Sequence, residues 1–108
     1  MDSVDPRRTP EAGALLGSLL SSLLDDFDHW FARGEELLKT CPDTVLSEQE
    51  RRQFALRLME SKRSIAATRA LVGASNEPMA VSMDAMRPWH LLVTEVWQLS
   101  ARLRTGTV

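Results

Sequence analysis

The chain is predicted to be all-α: an antiparallel three-helix bundle that dimerisation can complete. Three observations lead there. Apolar residues recur at alternating steps of three and four over three long stretches. Helix start and stop residues stand between those stretches. No stretch of the 108 residues alternates apolar and polar as a half-buried strand would.

Length and composition agree with a single domain of residues 10–104. A chain of this size can bury one modest core. Apolar residues make up 44% and charged residues 26%, a globular balance. The opening "MDSVDPRRTP" has no apolar centre, so residues 1–9 read as a flexible tail and not a secretory signal. Residues 105–108 read as a second, shorter tail.

The first helix is predicted over residues 10–41. Thr9 suits the N-cap, Pro10 the first turn, and Pro42 stops the helix. Leu16, Leu20, Leu23, Phe27, Trp30, Gly34, Leu37 and Cys41 form one unbroken stripe. Leu15, Leu19, Leu24, Phe31 and Leu38 flank it, so about half the circumference is apolar. Such a face calls for two neighbours, or one neighbour and a second chain. The two first helices are the expected dimer seam.

This stretch is too short for a membrane span. The uncharged run Ala12–Leu24 covers 13 residues, and Asp25, Asp26 and Asp28 close it. Spanning takes about 20 residues. Any membrane association is expected to be peripheral. Gly13 and Gly17 make a small-xxx-small pair, which allows close helix approach.

The second helix is predicted over residues 48–72. Ser47 and Glu50 form a capping box, with Leu46 just before it. Phe54, Leu58, Ser61, Ile65, Thr68 and Val72 form a thinner stripe, widened by Ala55, Met59 and Ala66. Gly73 suits the C-terminal stop. Residues 73–87 read as a long connection, with Val81, Met83 and Met86 laid against the helices.

The third helix is predicted to start near Asp84 or Pro88, with Pro88 in its first turn. Its stripe is Trp89, Leu92, Val96, Leu99 and Leu103, with Val93 and Trp97 beside it. The third helix is expected to pack across the first two. Trp30, Trp89 and Trp97 are expected as core anchors.

Charge supports an antiparallel first pair. Between Pro10 and Cys41, six acids face two bases, a balance of −4. Between Ser47 and Val72, six bases face three acids, a balance of +3. Each exposed pair is worth about 0.2–1 kcal/mol. The basic helix has no interleaved aromatics, so nucleic-acid binding is not expected.

Candidates for chemistry are few. Asp25 and His29 share a face with Glu36, but that face lies opposite the leucines and points to water. Carboxylate-bridged metal bundles need inward Glu-x-x-His motifs, and the chain has none. The dipeptides His29-Trp30 and Trp89-His90 suggest a haem or pigment ligand as the alternative reading. Cys41, the only cysteine, lies at a helix end where the dipole disfavours a thiolate. No phosphate-binding glycine loop is present. No catalytic, cofactor-binding or metal-binding residue is assigned.

Two segments carry a resemblance. Asp26, Phe27, Trp30 and Phe31 give D-F-x-x-W-F, followed by Cys41-Pro42. Pro88, Trp89, His90, Leu92, Val93, Glu95 and Trp97 give P-W-H-x-L-V-x-E-x-W. In this arrangement the chain resembles a small uncharacterised family of all-helical cyanobacterial proteins. Lys39-Thr40 before the Cys-Pro pair departs from that family's E-x-C-P-like turn. The resemblance implies a cyanobacterial helical protein, cytoplasmic or peripheral to the thylakoid, and carries no activity with it.

The function expected is therefore non-enzymatic: a protein-protein interaction module acting as adaptor, assembly factor or regulator, linked through the resemblance to the photosynthetic apparatus. The alternative is a cofactor-binding bundle using His29 or His90. The expected partners are another protein and a second copy of the chain. Met83, Met86, Pro88, Trp89 and His90 form the expected docking patch, because methionine-rich surfaces adapt to partners.

Overall fold

The computed structural model describes residues 10–74 and 83–105, with side chains from Ala14 to Ala74 and from Asp84 onward. Three α-helices follow in order: α1 (Pro10–Thr40), α2 (Glu48–Ala74) and α3 (Met83–Arg104). No strand occurs among the described residues. Val81, the Met83 side chain and the terminal residues 1–9 and 106–108 lie outside that description. Thr105 still donates its amide to Ala101 at 3.1 Å, so the helical pattern reaches the start of the expected C-terminal tail.

The helices run up, down and up. Lys62 of α2 donates to Glu35 of α1 at 2.8 Å, and Arg69 donates to Asp28 at 2.8 Å and to Asp25 at 2.7 Å. As numbers rise along α2 they fall along α1, which makes the pair antiparallel. The opposite net charges of the two helices meet in these pairs. In α3, Trp89 packs on Phe27, and Val96 lies at Gly34 seven residues further along both helices. The third helix therefore lies parallel to α1 in the groove beside it, not across the pair as expected.

The turn between α1 and α2 is held from several sides. The Val45 amide donates to the Pro42 carbonyl at 3.0 Å. The Ser47 amide donates to Glu50 at 2.9 Å, and the Glu50 amide donates to the Ser47 hydroxyl at 3.1 Å. Both halves of the capping box are thus made. Arg102, at the far end of α3, donates to the Val45 carbonyl at 2.8 Å. Val45 and Leu46 are buried beneath.

The core is a single cluster drawn from all three helices and the turn. In the predicted α3 stripe Trp89, Leu92, Val96 and Leu99 are buried and Leu103 is half-buried, with Val93 buried beside them. In α2, Phe54, Leu58 and Ile65 are buried, while Ala55, Met59 and Ala66 are exposed and do not widen the stripe. In α1 Phe27, Gly34, Leu37 and Cys41 of the predicted stripe are buried, and one flank joins them. Leu24, Phe31 and Leu38 are inside, whereas Leu23 and Trp30 are half-buried and Leu16 is exposed. An apolar face that wide must meet α2 on one flank and α3 on the other, so its centre falls between them.

Two boundaries move. Gly73 does not stop α2, which continues to Ala74. The third helix begins at Met83, so Pro88 sits in its second turn. The proline has no amide to give to the Asp84 carbonyl. The turn ahead of it is held by Met86, which is buried, and by Asp84 at the positive end of the helix. The expected 73–87 connection is correspondingly shorter.

Candidate functional site

Among the described residues, the first helix is longer than the support it receives. Arg69 marks the level of Asp25 and Asp28, and α2 ends five residues beyond it, at Ala74. Trp89 marks the level of Phe27, and α3 begins six residues before it, at Met83. Both neighbours therefore end near residue 21 of α1. Pro10–Leu20 projects beyond them by about 16 Å at 1.5 Å per residue. Every residue from Ala14 to Leu19 is exposed. Leu15 and Leu19 expose 60% and 59% of their surface, values expected of polar residues. No charged residue lies between them. A Cβ placed on Gly17 would meet nothing within 4 Å, so Gly17 packs on no other helix among the described residues.

Below the projection, the two segments noted in the sequence meet along the α1–α3 seam. Phe27 touches Trp89 edge-on at 5.4 Å and His90 at 5.0 Å. It also stacks on Phe31 at 6.1 Å. Trp30 meets Trp97 edge-on at 5.6 Å, and His29 meets Trp30 at 5.1 Å. Trp89 is a core anchor. Trp97 is not: it is 49% exposed, and with half-buried Trp30 it forms an aromatic ridge at the surface.

The expected docking patch divides. Met86 and Trp89 are buried, at 6% and 5% exposure, because they continue the inner stripe of α3. They offer no surface to a partner. Pro88 and His90 are exposed, and the Met83 side chain lies outside the described residues. Sequence spacing alone could have separated them: residues 86, 89, 92, 93, 96 and 99 share one helical face, and 88 and 90 leave it.

His29 meets Trp30 and His90 meets Phe27, each as a ring edge-on to its neighbour. Among the described residues, no group of three His, Cys, Asp or Glu side chains could hold a metal ion. Asp25, the proposed neighbour of His29, is paired with Arg69. Cys41 is buried, its Sγ 3.6 Å from the Pro42 carbonyl.

Two open grooves flank α2. One, of about 550 Å³, is bordered by Lys39, Arg51 and Arg52 and by Glu35, Asp43 and Glu48. The other, of about 620 Å³, is bordered by Glu50, Arg57, Glu95 and Arg102. In both, acids and bases pair: Arg51 with Asp43, Arg52 with Glu48, and Arg57 with Glu95 through two nitrogens. The Glu95 hydrogen bond and charge hold the Arg57 guanidinium above its ordinary range. The Ser47 amide, then the Ser47 hydroxyl, hold the Glu50 carboxyl below its ordinary range. These are structural pairings, and neither groove sets a nucleophile beside a base.

A family model for proteins of unknown function, DUF2605, matches residues 10–105, which is nearly the whole chain. The chain belongs to this family. The matched span contains the projecting helix, the aromatic seam and both grooves. Neither a curated protein nor a solved structure matches the chain. No helix among the described residues is long and apolar enough to cross a membrane.

Proposed function

We propose that the chain is a non-enzymatic helical interaction module, an adaptor, assembly factor or regulator, that docks another protein on the projecting part of α1. One observation carries this reading: Leu15, Leu16 and Leu19 stand exposed on a helix that runs ahead of both its packing partners. Exposed leucines at helical spacing match the way an amphipathic helix lays its apolar face into a partner's groove. From Ala12 to Leu20 the projection carries no charge, so the docking surface recognised is an apolar one.

The resemblance to cyanobacterial proteins extends the proposal. On that basis the host is a cyanobacterium, the protein is cytoplasmic or peripheral to the thylakoid, and its partner belongs to the photosynthetic apparatus. An extract of such a host is the material for the test. Affinity capture with the native chain is compared with capture by a Leu15→Glu/Leu19→Glu variant. Both substitutions keep good helix formers on an exposed surface, so the melting temperature stays the same. The proposal expects a partner that the native chain retains and the variant loses. Identical capture by both chains, at equal melting temperature, would overturn it.

A further inference from the structure

The second helix carries apolar residues on two opposite sides, and its own chain uses only one. Phe54, Leu58 and Ile65 face the core. Leu56, Met59, Arg63, Ala66 and Ala70 recur at steps of three, four, three and four on the outward side, all of them exposed. Leu56 and Met59 expose 51% and 42% of their surface. We propose that this outer face binds a second copy of the chain, with the two α2 helices antiparallel. This seam is distinct from the α1 docking surface.

The order of side chains along the line selects the occupant. The large residues, Leu56 and Met59, lie toward the N-terminal end. The small ones on the line, Ala66 and Ala70, lie toward the C-terminal end, with Ala67 and the exposed Leu71 to one side of it. A parallel copy would set large on large, small on small, and Arg63 on Arg63. An antiparallel copy sets each Leu56 on Ala66 and Ala67 of the other chain. The same register brings each Arg63 beside Met59 and Glu60 of the other chain. A two-fold axis makes every one of these contacts twice. Among the described residues, neither Glu60 nor Arg63 takes part in an ion pair within its own chain. Both charges are therefore available to the other copy.

The paired length, from Arg52 to Ala70, is about 27 Å. A two-helix seam of that length lies at the low end of specific interfaces, so the dimer dissociates on dilution. Sedimentation velocity across a concentration series tests it, with thermal melting as the check on folding. Native chain shows a reversible monomer–dimer equilibrium. Arg63→Glu alone and Glu60→Arg alone each weaken it about tenfold, since two contacts become repulsive. The double variant Glu60→Arg/Arg63→Glu restores the native constant, because the exchanged charges still face each other. A native chain that stays monomeric throughout the series overturns the proposal. A dimer indifferent to both charge reversals overturns it too. A dimer lost in Leu15→Glu/Leu19→Glu but kept in Arg63→Glu overturns it by moving the seam to α1.

Discussion

A Cβ atom built on Gly34 would lie 2.9 Å from Cγ2 of Val96, closer than real Cβ contacts come. The same atom would meet the two Leu58 methyls at 3.2 and 3.3 Å. Gly34, Leu58 and Val96 belong to α1, α2 and α3, so the three helices converge on a position with no side chain. Gly34 sets how closely the bundle packs.

Gly34→Ala is therefore expected to destabilise, although alanine is the better helix former. Overpacking costs about 1–3 kcal/mol, and the propensity gain returns at most about 1 kcal/mol. Gly17→Ala meets open space and keeps only the gain. Thermal melting should show the first variant below the native chain and the second at or above it. A Gly34→Ala chain as stable as native would show that α3 does not lie against α1 at this level.

The tryptophans separate by burial. Trp89→Ala removes a buried ring and is expected to cost about 3–5 kcal/mol in urea unfolding. Trp97→Ala removes a half-exposed ring whose edge contact with Trp30 is worth about 0.5–1.5 kcal/mol. Equal losses would place Trp97 in the core, contrary to the structure.

The capping box predicts a pH effect with a definite sign. The Glu50 carboxyl is held below its ordinary value of 4.5, first by the Ser47 amide and then by the Ser47 hydroxyl. The unfolded chain thus binds this proton at a higher pH than the folded chain does. The contribution is complete above pH 4.5 and fades as the pH falls toward the folded value. A carbon-detected NMR titration should place Glu50 below 4.5 in native chain, with a Ser47→Ala variant moving it upward. Ser47→Ala also removes the cap itself, at about 1 kcal/mol. An unmoved Glu50 titration in that variant would rule out the hydroxyl's share of the shift.

Arg69 bridges two carboxylates on α1, Asp25 and Asp28. Arg69→Met keeps the stem and removes the charge. Because all three side chains are partly exposed, the expected loss is about 1 kcal/mol and shrinks in high salt. A double-mutant cycle with Asp28→Asn measures the pair directly. Independence of the two substitutions would mean that the Arg69–Asp28 pair adds nothing to the hold between α1 and α2.

How much of this was legible in the sequence depends on what spacing encodes. The stripe of α3 and the Ser47–Glu50 cap were legible, because each is a local pattern read on one helix. The centre of the α1 face was not, because a face half the circumference wide can turn either flank inward. Leu24 or Leu23, Phe31 or Trp30, is settled by where α2 and α3 stand. The levels of the helix ends were also hidden: nothing in "GALLGSLL" says that α2 and α3 finish near residue 21. The outward line Leu56–Met59–Ala66–Ala70 is present as a spacing, but Met59 and Ala66 stand one residue from inner positions, so spacing alone also fits them to a widened inner stripe. The split of Met86 and Trp89 from Pro88 and His90 is a matter of helical angle, which proximity in sequence conceals.

Site-specific photo-crosslinking from position 19 tests the account most directly, since Leu19 is an exposed leucine of the projecting helix, 59% of its surface open. The probe replaces Leu19 in host cells, and a second probe replaces Arg87, on the polar surface of α3. The account predicts a discrete adduct with another protein from position 19 and none from position 87. A chain that yields no adduct from position 19, or the same adducts from both positions, would contradict it.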